Sequence, residues 1–102
     1  RNCVRGQDCF HPFIGGGYGN TAVGTRATVV GGSTNAAIGT DAIIAGGYNN
    51  TVHHATAGIF GGARNIAGIP APDIASADGG WYASVFGGDG GNSTGFGATV
   101  LG

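Results

Sequence analysis

The chain of 102 residues contains no methionine, and charged residues make up only 9% of it. All the positive charges are arginine and all the negative charges are aspartate, since lysine and glutamate are absent, and the net charge is −1. Nucleic acids and anionic membranes attract basic surfaces, so this balance argues against both as partners. No apolar run reaches the length of a membrane span, and we do not expect this segment to insert into a membrane.

The composition disfavours helices, because 24 of the residues are glycine. Glycine costs about 1 kcal/mol at each helical position relative to alanine. The glycines do not recur at every third residue, which excludes collagen. β-branched residues recur at regular spacing, which a disordered polar tract would not need. An all-β fold is therefore expected.

One pattern recurs along the chain and predicts the architecture. Glycines recur at equal intervals, except that the interval before the fifth is longer. They are Gly16, Gly31, Gly46, Gly61, Gly87 and Gly102. The position two before each glycine is always β-branched, at Ile14, Val29, Ile44, Ile59, Val85 and Val100. The position four before is mostly alanine, and the position four after the first four glycines is Asn20, Asn35, Asn50 and Asn65.

The repeating unit, which runs from one of these glycines to the next, is too short for a helical hairpin repeat. It suits one coil of a parallel β-solenoid, with two short strands and two tight turns. The alanine column and the Val/Ile column then face the interior together, since strand residues alternate between faces. The glycine and asparagine columns are expected to supply the positive φ angles of the turns. Stacked asparagines can also form a ladder of side-chain hydrogen bonds.

A further column is apolar although it faces away from the interior. It comprises the residues just before the repeating glycines, and the other strand adds two residues of the same kind: Val30, Ala45, Phe60, Phe86, Leu101, Val23 and Ile38. Contiguous apolar stripes are uncommon on monomers, so these residues are predicted to form an oligomer interface. A ring of three is the smallest closed heterologous arrangement, which makes a homotrimer the expected assembly.

The repeats resemble the head repeats of trimeric autotransporter adhesins, the YadA-like heads. The shared motif is Asn-x-Ala-(Val/Ile)-Gly-x-x-Ala-x-(Val/Ile)-x-Gly, which occurs intact over residues 20–31 and 35–46. Degenerate or split copies begin at Asn50 and Asn65, and residues 90–102 carry a weaker one. The unit here is one residue longer than is common in that family.

The resemblance implies a left-handed parallel β-roll, a homotrimer and display at the surface of a Gram-negative bacterium. If the chain is part of a longer autotransporter, it would be anchored in the outer membrane. It also implies a non-enzymatic function, namely attachment to extracellular matrix, host cells or other surfaces. An alternative is the subunit of an extracellular filament or fibre that uses the same roll, stacked head to tail. An ice-binding face is disfavoured, because Ala55, Trp81 and Phe96 interrupt the column of Thr25 and Thr40.

The predicted roll covers residues 14–102. The interval between Gly61 and Gly87 is longer than the others, and its extra residues are predicted to form an insertion loop over about residues 68–78. Pro70 and Pro72 interrupt regular pairing there. Protruding loops on rigid scaffolds often bind partners, so Pro70, Pro72, Asp73 and the outward-facing Tyr82 are candidate contacts. A flap that seals a groove of the trimer is an equal alternative for this loop.

Two histidines break the repeat, since His53 and His54 replace the Val-Gly and Ile-Gly of the earlier coils. They are candidate contact residues, although a tolerated substitution in a degenerate repeat is the simpler interpretation. No catalytic constellation, metal site or cofactor is predicted. The glycine-rich stretch 15–19 lacks the Gly-Lys-Thr and the helix of a phosphate-binding loop.

The segment 1–13 fits the repeat poorly and is expected to form an N-terminal cap. Cys3 and Cys9 lie in this segment. An even cysteine count in a chain without lysine or methionine fits an oxidising, extracellular setting with one disulfide, within or between chains. Two free thiols are the alternative.

Overall fold

The computed structural model describes residues 3–4, 12–68, 83–93 and 99–102. Their regular structure consists of very short strands: β1 Cys3–Val4, β2 Phe13–Ile14, β3 Thr21–Ala22, β4 Thr28–Val29, β5 Ala36–Ala37, β6 Ile43–Ile44, β7 Thr51–Val52, β8 Gly58–Ile59, β9 Ile66–Ala67, β10 Ser84–Val85, β11 Asn92–Ser93 and β12 Thr99–Val100. Within these ranges, no helix is long and apolar enough to cross a membrane.

The strands form two six-stranded sheets in which all pairings are parallel. The first sheet has the order β1-β3-β5-β7-β9-β11, and the second has the order β12-β10-β8-β6-β4-β2. The chain therefore alternates between the sheets and adds one strand to each in every coil. Val29 pairs with Ile44 and Ile44 pairs with Ile59, so the register advances by one repeat per coil. This confirms the prediction of an all-β parallel solenoid in which one repeat forms one coil.

The long interval changes the register without breaking the sheets. Ile59 pairs with Val85, and Ala67 pairs with Ser93 in the other sheet. Both steps are longer than the regular repeat by the same amount, so the extra residues lie in the chain between β9 and β10. Gly68, with a φ of +97°, is the last described residue before residue 83.

Four candidate contacts of the insertion and its flank cannot be placed. Pro70, Pro72, Asp73 and Tyr82 lie outside the described residues. Their roles, and the choice between a binding loop and a flap, stay predictions.

The interior between the sheets is filled by small and β-branched side chains. The first sheet contributes Ala22, Ala37, Val52 and Ala67, and the second contributes Ala27, Val29, Ala42, Ile44, Ala57, Ile59, Ala83 and Val85. All of them are buried. Small side chains suit a thin coil in which the two sheets lie close together, and the Val/Ile column fills the space beside the alanines. This is the arrangement expected from the alternation of strand residues.

The asparagine column runs through the interior as a hydrogen-bonded ladder. Asn20, Asn35, Asn50 and Asn65 are each 0% exposed. The Oδ1 of Asn35 accepts from the backbone nitrogen of Asn50 at 3.0 Å and from its Nδ2 at 3.1 Å. Nδ2 of Asn35 donates to the carbonyls of Gly31 and Gly47, both at 3.1 Å. The ladder thus satisfies buried backbone groups of successive coils, as polar groups inside a protein require.

The turns differ from the prediction in which residues have positive φ. The repeating glycines such as Gly46 and the buried asparagines such as Asn50 have ordinary φ angles. The positive values fall on the second glycine of each pair, as at Gly47 with a φ of +99°, and on the residue before each asparagine, as at Asn49 with a φ of +54°. The other turn of the coil has its positive φ at positions such as Asp41. The prediction for the glycine and asparagine columns was therefore wrong by one position, because the asparagines are buried to form hydrogen bonds and leave the bend to their neighbour.

The N-terminal segment contributes a strand to the first sheet. Cys3–Val4 pairs in parallel with Thr21–Ala22, at a spacing slightly longer than the regular repeat. Cys9 lies outside the described residues, so the disulfide and the cap of residues 1–13 stay predictions.

Candidate functional site

The outer side of the second sheet carries an extended apolar surface, which Thr28, Gly58 and Ser84 interrupt. It is formed by the strand residues that alternate with the Val/Ile column, and we call it the apolar outer face: Phe13, Val30, Ile43, Ala45, Phe60, Phe86 and Leu101. Val30, Phe60 and Phe86 are 53%, 48% and 51% exposed. The described residues on this side of the sheet include no charged side chain. The solenoid alone therefore leaves large hydrophobic groups in contact with water.

Within the apolar outer face, two aromatic side chains from adjacent coils contact each other. The rings of Phe60 and Phe86 lie 4.8 Å apart between centroids in an edge-to-face arrangement. This geometry is the one favoured by the ring quadrupoles. Aromatic side chains of this kind are enriched at the core of protein–protein interfaces.

The first sheet has a smaller apolar surface on its outer side. Ile38 is exposed and Val23 is half-buried. His53 follows them in the same column, since its nitrogen donates to the carbonyl of Ala67 as the nitrogen of Ile38 donates to that of Val52. The residues predicted to form the oligomer interface therefore lie on two different surfaces, one on the outer side of each sheet.

Phe13 and Ile43 belong to the apolar outer face but were not predicted to lie there. Their column also contains Thr28, Gly58 and Ser84, so no single residue type recurs along it. Strand alternation alone would have identified both residues, because each precedes a β-branched residue of the interior column by one position.

His53 and His54 are adjacent on a half-buried part of the coil. Burial lowers the pKa of His53 below its ordinary value, and the charge of His54 lowers it further. In the residues that the structure describes, no three His, Cys, Asp or Glu side chains are placed to share a metal ion. The structure therefore places the two histidines next to each other, as their positions in the sequence require.

The lowered pKa of His53 predicts a loss of stability on mild acidification. A histidine whose folded-state pKa is depressed favours the neutral form, so its contribution is present above the unfolded-state pKa and is lost as the pH falls through the folded-state pKa. We expect the melting temperature to fall between about pH 7.5 and about pH 5, above the range in which aspartate titrates. His53→Ile, which restores the residue of the preceding coil, should reduce this fall. Equal falls in wild type and variant would contradict the assignment.

Among the residues that the structure describes, the charged side chains lie at the turns between the strands. Arg26 donates through Nε and Nη2 to both carboxylate oxygens of Asp41, at 2.7 and 2.8 Å, across adjacent coils. This side-chain hydrogen bond lowers the pKa of Asp41. At the other turn Arg64 forms an ion pair with Asp89. Both pairs are exposed and make the coil edges polar, in contrast to the apolar outer face.

The fold and surfaces define the class of the chain as a parallel β-solenoid repeat protein of about five coils. No protein-family model, no curated protein and no solved structure matches the chain.

Proposed function

We propose that this chain is a non-enzymatic segment of a bacterial surface adhesin head, which attaches to matrix, cells or other surfaces as a homotrimer of left-handed β-rolls. The observation that carries the proposal is the apolar outer face. Its large side chains are exposed although the interior of the solenoid is already filled. A contiguous surface of this kind on a folded chain marks a site of association.

Two different apolar surfaces on one chain favour a closed ring over a face-to-face pair. A two-fold dimer uses the same patch on both copies, whereas a ring brings together two different patches. The apolar outer face of one copy would cover the side of the first sheet that carries Val23 and Ile38 on the next. Three copies are the smallest ring of this kind, in agreement with the resemblance of the repeats to trimeric adhesin heads.

A charged residue in the apolar outer face is expected to separate the copies without unfolding them. Phe86→Asp would bury an unpaired carboxylate at the contact, which costs at least about 2 kcal/mol of association energy. Thr56→Asp is the matched control, because Thr56 is exposed at a turn and occupies the column of Asp41. Sedimentation of the two variants should give smaller species for Phe86→Asp alone. Identical masses for both variants would contradict the interface.

The adhesive function itself is tested by attachment. Beads coated with the assembled chain are offered to a panel of purified matrix proteins, cultured cells and inert surfaces, and compared with beads that carry Phe86→Asp. Three identical binding faces raise the apparent affinity far above that of one face, so attachment should require the assembly. Failure of the assembled wild type to attach to any surface would contradict the proposal. Open-ended polymers instead of discrete rings would favour the filament function.

A further inference from the structure

A second exposed stripe runs along one corner of the solenoid, between the end of the second sheet and the start of the first. Isolated parallel bridges link Tyr18 to Ser33, Ser33 to Tyr48 and Tyr48 to Ala63. The first three residues of this column are Tyr18, Ser33 and Tyr48, so the two tyrosines lie two coils apart. Tyr18 is 67% exposed and Tyr48 is 53% exposed.

The backbone holds this corner rigidly. The nitrogen of Tyr18 donates to the carbonyl of Gly32 at 3.0 Å, and the nitrogen of Tyr48 donates to that of Gly62 at 3.0 Å. The nitrogen of Thr34 also donates to the carbonyl of Tyr18 at 2.9 Å. These hydrogen bonds fix the backbone positions of the two tyrosines relative to each other before any ligand arrives, which lowers the entropic cost of binding.

The spacing of the tyrosines is set by the stacking of the coils. Neighbouring strands lie about 4.8 Å apart, so side chains two coils apart are separated by about 10 Å. In an extended β-1,4-linked glycan, successive sugars are turned over, and the same face of the sugar returns after each disaccharide, a repeat of about this length. One tyrosine can therefore stack on the first sugar and the other on the third, with the glycan parallel to the solenoid axis.

The chemistry of the stripe fits a neutral glycan. The face of an aromatic ring is electronegative and attracts the partly positive C–H groups of a pyranose face. Between the tyrosines, the hydroxyls of Ser33 and Thr34 lie 3.2 Å apart and are exposed, and they can exchange hydrogen bonds with the hydroxyls of the intervening sugar. Tyr18, Ser33, Thr34, Tyr48 and Asn49 are uncharged residues. In the two coils that follow, the same corner carries Arg64 and Asp89, which form an ion pair and offset each other's charge, so the corner as a whole does not favour an acidic polymer.

We propose that the Tyr18–Tyr48 corner binds an extended, neutral β-1,4-linked polysaccharide of the cellulose or chitin type. The inference rests on the proposed adhesive function, for which it names the class of ligand. A trisaccharide is the shortest ligand that reaches both tyrosines. Affinity should therefore rise sharply from the disaccharide to the trisaccharide and little beyond the tetrasaccharide.

The experiment measures binding of the wild-type assembly to cellulose and chitin in pull-downs, and to their di-, tri- and tetrasaccharides by NMR titration. Tyr18→Ala and Tyr48→Ala should each weaken binding about tenfold or more, as expected for the loss of an anchoring aromatic residue. Tyr18→Phe and Tyr48→Phe keep the ring and should bind nearly as the wild type does. Dextran, which is α-linked, should not bind.

A register control separates the spacing from the mere presence of two tyrosines. Tyr48→Ser combined with Ala63→Tyr keeps two rings but places them three coils apart, at about 14 Å. This double variant should bind as weakly as Tyr48→Ala. Absence of binding to both polysaccharides, unchanged binding in the alanine variants, or full binding in the register control would each overturn the inference.

The mass of each sample in solution distinguishes this inference from the proposed assembly. The tyrosine variants leave the apolar outer face intact, so they should keep the oligomeric state of the wild type. Assembly without glycan binding would refute the glycan site alone. Glycan binding by a monomer would refute the proposed assembly and leave the site in place.

Discussion

Replacement of Gly47 with alanine is expected to prevent stable folding. Gly47 has a φ of +99°, and a Cβ atom there would lie 2.2 Å from the carbonyl oxygen of Gly62 in the next coil. That carbonyl accepts from the nitrogen of Tyr48 and from Nδ2 of Asn50, both at 3.0 Å. The methyl group would push the coils apart and break both hydrogen bonds, since backbone atoms cannot turn aside as a flexible side chain can.

We expect Gly47→Ala to lower the free energy of unfolding by more than about 4 kcal/mol, a range that single substitutions reach only through a clash or a buried defect. Part of this cost, about 1–2 kcal/mol, is the left-handed conformation itself. Urea denaturation followed by circular dichroism measures the difference.

The adjacent glycine provides a matched control. Gly46 has an ordinary φ, and a Cβ atom built there meets nothing within 4 Å. Gly46→Ala should therefore change the free energy of unfolding by no more than about 0.5 kcal/mol, or raise it slightly by restricting the unfolded chain. Equal effects of the two substitutions would show that the coils are not stacked as described.

Replacement of Asn35 with alanine is expected to have the next largest effect. The substitution removes the acceptor of the buried Asn50 nitrogen and the donor to the carbonyls of Gly31 and Gly47. Each buried group left without a partner costs about 1–3 kcal/mol. The expected loss is therefore about 3 kcal/mol or more, which corresponds to a fall of roughly 15 °C in melting temperature for a domain of this size.

Asn49→Gly is the control for the asparagine ladder. Asn49 is exposed and has a positive φ, and Gly19 occupies the same column in the first coil. Its replacement should change stability by about 0.5 kcal/mol or less. If Asn35→Ala is as well tolerated as Asn49→Gly, the buried ladder does not contribute to stability as the hydrogen bonds imply.

Much of the fold could be predicted because each of the two interior columns of the second sheet has one chemical type. Ala27 and Ala42, or Val29 and Ile44, occupy equivalent places in successive coils, so one coil predicts the next. The turns were harder to predict for a physical reason. In the pair Gly46-Gly47 both residues permit positive φ, so the sequence does not show which of them uses it.

The outward positions were predicted less completely than the interior. Phe13 and Ile43 lie in a column that also accepts threonine, serine and glycine, because the interior of the same chain sets no volume for a side chain that faces outward. Thr34 and Arg64 have positive φ of 59° and 54° although neither residue type favours it. The stacking of the coils imposes these conformations, since hydrogen bonds between coils hold the turn whatever side chain it carries.

In the proposed assembly, the apolar outer face is covered by another copy of the chain. The mass in solution, measured by sedimentation equilibrium over a wide range of dilution, tests it most directly. We expect a discrete species of three chains that persists on dilution and is lost in Phe86→Asp. A monomer at all concentrations would contradict it, because the exposed Val30, Phe60 and Phe86 would then face water in the functional protein.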